Sequence, residues 1–345
     1  TRLQGASNLA GQLPWLIAPW CWAIMHNRVW FTDIVEGGRF LSIIIGSIVI
    51  GCGVLPAIFN KEYFHKLPKP DVKGPLNVTK DFFKGAAITL RCKPFVKLCM
   101  ATLLIFGGFM LASAFTIYVV FFYVFQKAGV LDNAYAGGGQ LLGWYGTFSA
   151  ICTLGVIYLT TWLSTKLGKR NTFFITIPLS IIGYALKWIG YNPDHPYLLL
   201  IAAPFIAFGL GSLFTLMGSM VADVCDLDEL KTDTRREGMF GAVYWWMVKL
   251  GLALASLASG FLINATGFHQ ELGLAQAPST LLWMRIFDIG IPIITSVIAI
   301  FIINTFEISE DNAYDIRGQV ERRREERRKE QVRVEEEKRR EERRE

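Results

Sequence analysis

Lys249 lies inside a long apolar stretch, where a charged side chain is costly. The stretch follows a highly charged run from Asp223 to Glu237, so Lys249 is about 11 residues into a helix that rises 1.5 Å per residue. Its Cα is then roughly 16 Å deep, near the middle of a hydrocarbon layer about 30 Å thick. An ammonium group there costs about 2.5–3.5 kcal/mol and needs a counter-charge, polar partners or a wet cavity. We interpret Lys249 as a functional cation; the alternative is a structural ion pair with a neighbouring helix.

Two tryptophans, Trp245 and Trp246, share the side of the helix that carries Lys249. Their indole rings offer flat apolar surface on which the CH groups of a sugar could stack, beside a cation that could bind hydroxyl groups. The alternative is close packing or anchoring at the membrane interface. Two further candidates for a binding site are Tyr118, as a donor to a substrate hydroxyl, and Thr215, as a polar wall residue. Tyr118 also belongs to an aromatic stripe that is typical of packing.

Charged residues of both signs cluster before the Lys249 helix and in one short turn. Asp223 and Asp226 face Arg235 and Arg236 across the loop 223–238, and Lys169 and Arg170 lie in the turn 164–171. Ion pairs among them could hold one side of the molecule closed and break on opening. The alternative is a solvated turn, in which single pairs contribute only about 0–1 kcal/mol, with basic residues that merely anchor the turn.

Composition indicates an all-α, polytopic membrane protein. The chain has 345 residues, 52% of them hydrophobic, and a net charge of +6. Several apolar stretches reach the ~20 residues that cross a bilayer. We predict eight membrane spans, at about 9–27, 38–59, 95–125, 141–163, 172–190, 197–221, 239–263 and 281–305.

The basic residues follow the loops, which argues against nucleic-acid binding. They concentrate in every second loop, at 60–94, 164–171 and 223–238, which predicts that those loops and both termini are cytoplasmic. The long loop 60–94 begins with prolines and ends with an amphipathic pattern that predicts a short helix on the inner leaflet. The scattered cysteines and histidines have no ligand spacing, so no metal or cofactor is expected.

The run ADVCDLDELKTDTRREGMF at residues 222–240, followed by a helix with Lys249, resembles the melibiose-carrier family. These are glycoside–pentoside–hexuronide:cation symporters of the major facilitator superfamily, and their eleventh helix carries a functional lysine that matches Lys249. The turn 164–171 is similar to the basic gate turn of the superfamily but lacks its acidic residue. The resemblance implies sugar or glycoside symport with Na⁺ or H⁺ by alternating access in a cell membrane, with the bilayer, a small sugar and the coupling cation as partners.

The resemblance also implies a domain plan. Residues 1–59 would be the last two helices of the N-terminal bundle, 60–94 the central loop, 95–306 a six-helix C-terminal bundle and 307–345 a charged tail. The first four helices, with the carboxylates that bind the coupling ion, would then precede Thr1. Two alternatives stay open: a transporter of another solute such as a lysolipid, and a non-transporting scaffold. The sequence shows neither a paired nucleophile and base nor a phosphate-binding loop, so we do not expect an enzyme.

Three other charged features have simple interpretations. We expect Lys187 to extend to the outer surface and Arg285 to pair with Asp288 three residues later. The Arg- and Glu-rich tail from residue 317 lacks an apolar seam, which predicts a solvated, partly helical segment.

Overall fold

The computed structural model describes residues 18–25, 30–31, 33–59, 75–308 and 310–342, together with residues 11, 14 and 16. These residues form helices and their connections, with no strand among them. The α-helices are α1 Trp20–Met25, α2 Ile34–Phe59, α3 Pro75–Thr89, α4 Lys93–Val119, α5 Leu131–Leu167, α6 Lys169–Gly190, α7 Ala203–Thr232, α8 Glu237–Ala265, α9 Pro278–Asn304 and α10 Glu310–Glu342. A π-helical turn, Val120–Val124, extends α4, and a 3-10 helix, Pro196–Ala202, leads into α7.

Seven helices within the described residues are long and apolar enough to cross a membrane. They are α2 and α4 to α9, and they correspond to the second through eighth predicted spans. The first predicted span, 9–27, falls only partly within the described residues, where α1 is its one assigned helix. The prediction of an all-α, polytopic membrane protein is therefore confirmed.

The core lies between α4 and the helices that surround it. α4 packs along α9 and α8, and α7 packs along α5 and α6. Small residues allow close approach: a Cβ on Gly183 would lie 2.6 Å from the backbone nitrogen of Ile206, and one on Gly108 would lie 2.2 Å from the Thr295 hydroxyl. These contacts bring α6 against α7 and α4 against α9, which positions the polar groups described below.

Two helices extend further than hydropathy predicts. α5 begins at Leu131 rather than near 141, because Gly137 and Gly138 pack against the rings of Phe125 and Phe121 although the segment is not strongly apolar. α7 continues to Thr232, so most of the predicted loop 223–238 is helix. Asp233, with φ of 55°, adopts the left-handed conformation that ends it. The acidic residues before it consequently project from a rigid helix end.

Candidate functional site

Lys249 lies on the exposed side of α8. The opposite side of the helix packs on α4 through buried residues that include Val248 and Gly251, which leaves the lysine outside the core. Its ammonium group makes no hydrogen bond or ion pair with any residue that the structure describes. An unpaired cation on a membrane-spanning helix is the arrangement that a ligand or a further carboxylate would complete.

The tryptophans beside Lys249 are also largely exposed. Trp245, one turn before the lysine, is 52% exposed, and Trp246 is 60% exposed. The Trp245 ring stacks on Phe214 of α7, with centroids 6.0 Å apart and 11° between the planes. The described residues leave half or more of each indole uncovered, so neither ring is packed into the core.

Phe214 connects this face to a cavity of about 290 Å³ that is bounded by α4, α5, α6 and α7. Most of its wall is apolar, from side chains such as Phe106, Phe109 and Met110. Hydroxyl groups and one ammonium group interrupt the wall at Ser113, Thr116, Tyr145, Ser149, Thr153, Tyr184 and Lys187. The cavity therefore offers an apolar surface with several hydrogen-bonding groups.

The other two candidate binding residues lie elsewhere. Thr215 is fully buried, and its hydroxyl donates to the Gly211 carbonyl at 2.8 Å, so it is not a wall residue of this cavity. The adjacent Phe214 takes the cavity-facing position on α7, and a role of Thr215 in binding stays a prediction. Tyr118 lies in an aromatic cluster, stacked on Phe122 and edge-on to Phe268, and does not line the cavity.

A buried ion pair, which the sequence did not predict, joins α6 to α9. The Lys187 ammonium lies 2.7 Å from Asp288, and the two side chains are 2% and 0% exposed. Lys187 also donates to the Thr116 hydroxyl of α4 at 2.7 Å, and the Tyr191 hydroxyl donates to Asp288 at 2.6 Å. The expectation that Lys187 extends to the outer surface is wrong, since α4 and α9 bring oxygen ligands to its ammonium group.

Asp288 binds Lys187 and Tyr191 instead of Arg285, so the predicted pair between Arg285 and Asp288 is wrong. Its guanidinium lies between two rings, 4.4 Å from the centroid of Tyr123 and 4.2 Å from that of Trp188. It donates to the Tyr123 hydroxyl and to the Trp188 carbonyl. Cation–π contact and these acceptors replace a carboxylate partner.

At the other end of the helices, the structure brings Lys169 and Asp223 together. Their charged groups are 2.6 Å apart and the side chains are 14% and 18% exposed. Arg170 instead donates to the Asn304 carbonyl, at the end of α9, at 2.6 Å. The basic turn therefore contacts both α7 and α9.

The remaining charged residues pair near the α7–α8 connection. Arg236 forms a two-pronged ion pair with Asp228, and Arg235 contacts Glu237 at 2.6 Å. Asp226 lies 3.9 Å from Arg324 of the tail, and its ion pair is with this residue rather than with Arg235 or Arg236. The sequence placed these charges in one cluster but could not assign partners across it.

The tail is not wholly solvated, which corrects the prediction for it. α10 packs against the end of α7. Arg324 forms a two-pronged pair with Glu229, Arg327 pairs with Asp233, and Arg323 donates to the Leu230 carbonyl at 2.8 Å. The hydrogen bond to Glu229 raises the pKa of Arg324. These cations neutralise the acidic residues and bind carbonyl groups at the C-terminal end of α7, where the helix dipole favours positive charge.

Glu310, at the start of α10, contacts the basic turn. Its carboxylate accepts a hydrogen bond from the backbone N–H of Lys169 at 3.1 Å, where α6 begins. The first turn of a helix leaves its N–H groups without intrahelical partners, and a negative charge there is favourable. The turn, which lacks an acidic residue of its own, thus receives one from the tail. Within the described parts of the chain, no group of three His, Cys, Asp or Glu residues has metal-binding geometry.

Comparisons with known proteins agree with this architecture. The family model described as MFS/sugar transport protein matches residues 6–310. An uncharacterized symporter, YnaJ, of Bacillus subtilis is 24% identical over 231 residues, covering 67% of this chain and 47% of the relative. A putative sulfoquinovose importer of Salmonella typhimurium is 26% identical over 216 residues, covering 63% and 41%. An isoprimeverose transporter of Lactiplantibacillus pentosus is 25% identical over 118 residues, covering 34% and 25%.

The helical fold and the polar groups inside it define a multi-pass membrane protein of the major-facilitator type. The chain belongs to the MFS/sugar transport protein family, a family of transporters rather than enzymes. The sequence-based resemblance to glycoside–pentoside–hexuronide symporters is confirmed at the level of this family. The chain spans less than half the length of the curated relatives described above.

Proposed function

We propose that the protein takes part in secondary active transport of a sugar or glycoside, as a cation symporter that works by alternating access. The observation that carries this proposal is the face formed by Lys249, Trp245 and Trp246. An exposed cation lies there without a described partner, beside an indole that stacks on a cavity-lining ring. Family membership and relatives named as sugar transporters support the substrate class.

In this proposal Lys249 contributes the positive charge and the tryptophans contribute stacking surface. The ammonium group donates hydrogen bonds to substrate hydroxyls or pairs with a carboxylate of the cation site. Indole rings bind the CH face of a sugar. Stacking combined with hydrogen bonds from the ammonium group discriminates a sugar from an apolar solute. Tyr118 stays a weaker candidate, because its ring is engaged in the aromatic cluster described above.

The cytoplasmic gate is proposed to consist of the charge cluster at the ends of α6, α7 and α8. The Lys169–Asp223 pair is well shielded from solvent, and Arg170, Asp226, Arg235 and Arg236 form the surrounding contacts. Opening of this side would move the adjacent ends of α6 and α7 apart and break the pair. Such charge networks can switch between two arrangements because each single pair contributes little.

We assign residues 95–306 to a six-helix C-terminal bundle, 1–59 to two helices of the N-terminal bundle, 60–94 to the central loop and 307–345 to the tail. The basic loops are placed in the cytoplasm of a cell membrane, with both ends of the chain. The coupling cation, Na⁺ or H⁺, is proposed to bind carboxylates outside the described residues. Asp288 is unsuited to that role because Lys187 already neutralises it.

One observation favours a second candidate function. The cavity wall is mainly apolar, with the rings of Phe106, Phe109 and Phe214 on it. Such a wall suits an amphipathic solute such as a lysolipid better than an unsubstituted sugar. The stacked, exposed Trp245 beside Lys249 favours the sugar, and for that reason sugar transport is our first proposal.

Uptake into proteoliposomes tests the proposal. The reconstituted protein is offered labelled isoprimeverose with an imposed sodium gradient, a proton gradient or neither. We expect accumulation driven by one gradient, and its abolition in Lys249→Ala with membrane insertion unchanged. Lys127→Ala removes the same charge from an exposed turn, where the lysine is 69% exposed, and should accumulate the probe normally.

Two results would contradict the proposal in different ways. Full accumulation by Lys249→Ala would remove the assigned role of the lysine while leaving transport in place. Gradient-independent entry of labelled lysophosphatidylcholine, without accumulation of the sugar probe, would replace the first candidate with the second.

A further inference from the structure

The ammonium group of Lys187 is surrounded by oxygen atoms in the way that a bound monovalent cation would be. Both carboxylate oxygens of Asp288 and the Thr116 hydroxyl lie 2.7 Å from Lys187 Nζ. Three of its contacts are therefore oxygens of one carboxylate and one hydroxyl, which is the type of ligand that hard cations prefer.

A second layer of hydrogen bonds holds these oxygens in place. The Tyr191 hydroxyl donates to Asp288 at 2.6 Å. The Thr116 hydroxyl lies 2.8 Å from the Ala112 carbonyl and 2.9 Å from Asp288. The carboxylate comes from α9, the hydroxyl from α4 and the cation from α6. Because packing of three helices fixes the oxygens, their arrangement does not require the lysine chain to assemble it.

The site is also next to open space. Lys187 and Thr116 both line the cavity of about 290 Å³ between α4, α5, α6 and α7. Removal of the lysine side chain would connect the oxygen atoms to this cavity. Water from it, with the hydroxyl of Tyr145 on the same wall, could complete the coordination of a small ion.

We propose that Asp288, Thr116 and Tyr191 form a monovalent-cation site that Lys187 permanently occupies as a covalently attached cation. The ion pair then joins α4, α6 and α9 without an exchangeable ion. The packing of this bundle is consequently independent of the sodium concentration, and an ion that drives transport binds elsewhere. This inference does not depend on the proposed substrate or on transport activity.

Thermal unfolding of purified variants in detergent tests it. Unfolding temperature is measured at pH 8 in sodium, lithium, potassium or choline chloride at equal ionic strength. We expect sodium or lithium to raise the unfolding temperature of Lys187→Ala saturably, and by more than it raises that of the unchanged protein. Choline should not raise it. The rise should weaken in Lys187→Ala/Thr116→Ala and vanish in Lys187→Ala/Asp288→Ala.

Lys187→Met is the matched control, because its chain fills the position of the lysine without a charge and leaves little room for an ion. It should respond to sodium as the unchanged protein does. A folded Lys187→Ala protein with no additional cation response would overturn the proposal. So would a Lys187→Ala protein that fails to fold in every salt while Lys187→Met/Asp288→Leu folds. Folding of Lys187→Ala only when sodium or lithium is present would support it.

Discussion

Two lysines on membrane-spanning helices have opposite surroundings. Lys187 of α6 is 2% exposed and is held by Asp288 and Thr116, whereas Lys249 of α8 is exposed and has no partner among the described residues. The first charge is neutralised within the bundle, and the second is available to something outside it. A charged residue in an apolar span therefore indicates function only when its partners are known, and the prediction from depth alone cannot tell the two cases apart.

The largest expected effect comes from breaking the buried pair. Asp288→Asn leaves the Lys187 ammonium buried without a counter-charge, and we expect it to lower the free energy of unfolding by about 3–5 kcal/mol. Lys249→Met, by contrast, should change it by no more than about 0.5 kcal/mol. Reversible unfolding in mixed micelles measures both values.

The double variant Lys187→Met/Asp288→Leu is the control for this experiment. It removes both charges and keeps similar volumes, so we expect stability near that of the unchanged protein or higher. Equal stability of Asp288→Asn and the unchanged protein would show that water reaches the pair. Burial would then not explain why the surroundings of Lys187 and Lys249 differ in their effect on stability.

Sequence patterns predicted the helices well because membrane spans depend on local composition. The seven predicted spans that fall in the described residues each match a helix. The start of α5 was missed, since its glycines are informative only once Phe121 and Phe125 are seen against them. Glycine in such a position allows close helix packing and adds little to the hydropathy by which spans are predicted.

The partners of the charges could not be predicted, because they are distant in the sequence. Lys187 is 71 residues from Thr116 and 101 residues from Asp288 along the chain. A lysine in the last turn of a helix normally extends to the interface, which is why Lys187 was misassigned. Arg324 and Glu229 are similarly separated by 95 residues, so the charge pattern of the tail predicted a helix but not its docking.

The tail contacts offer an intermediate case between the two lysines. Arg324 is 40% exposed and Glu229 is 11% exposed, so their two-pronged pair is only partly shielded from solvent. We expect Arg324→Ala to lower stability by about 1 kcal/mol or less, and to loosen α10 without unfolding the bundle. Hydrogen exchange of residues 310–342, measured by mass spectrometry, should become faster.

Arg328→Ala provides the matched control, because this arginine is exposed on the same helix. Its exchange rates should equal those of the unchanged protein. Unaltered exchange in Arg324→Ala would mean that the apolar contact of Val320, which is 3% exposed, holds the tail without help from the arginine.

Lys127 separates pairing from burial, since it is paired like Lys187 but exposed like Lys249. It pairs with Asp194, and the side chains are 69% and 68% exposed. The hydrogen bond and charge of Lys127 hold the pKa of Asp194 below its usual range. Because the folded-state pKa is the lower one, any stabilisation is present above the unfolded pKa and is lost as pH falls through the folded value. Water screens the pair, so we expect no resolvable change in unfolding temperature for Asp194→Asn at pH 7. A loss as large as that in Asp288→Asn would show that pairing, rather than burial, distinguishes the lysines.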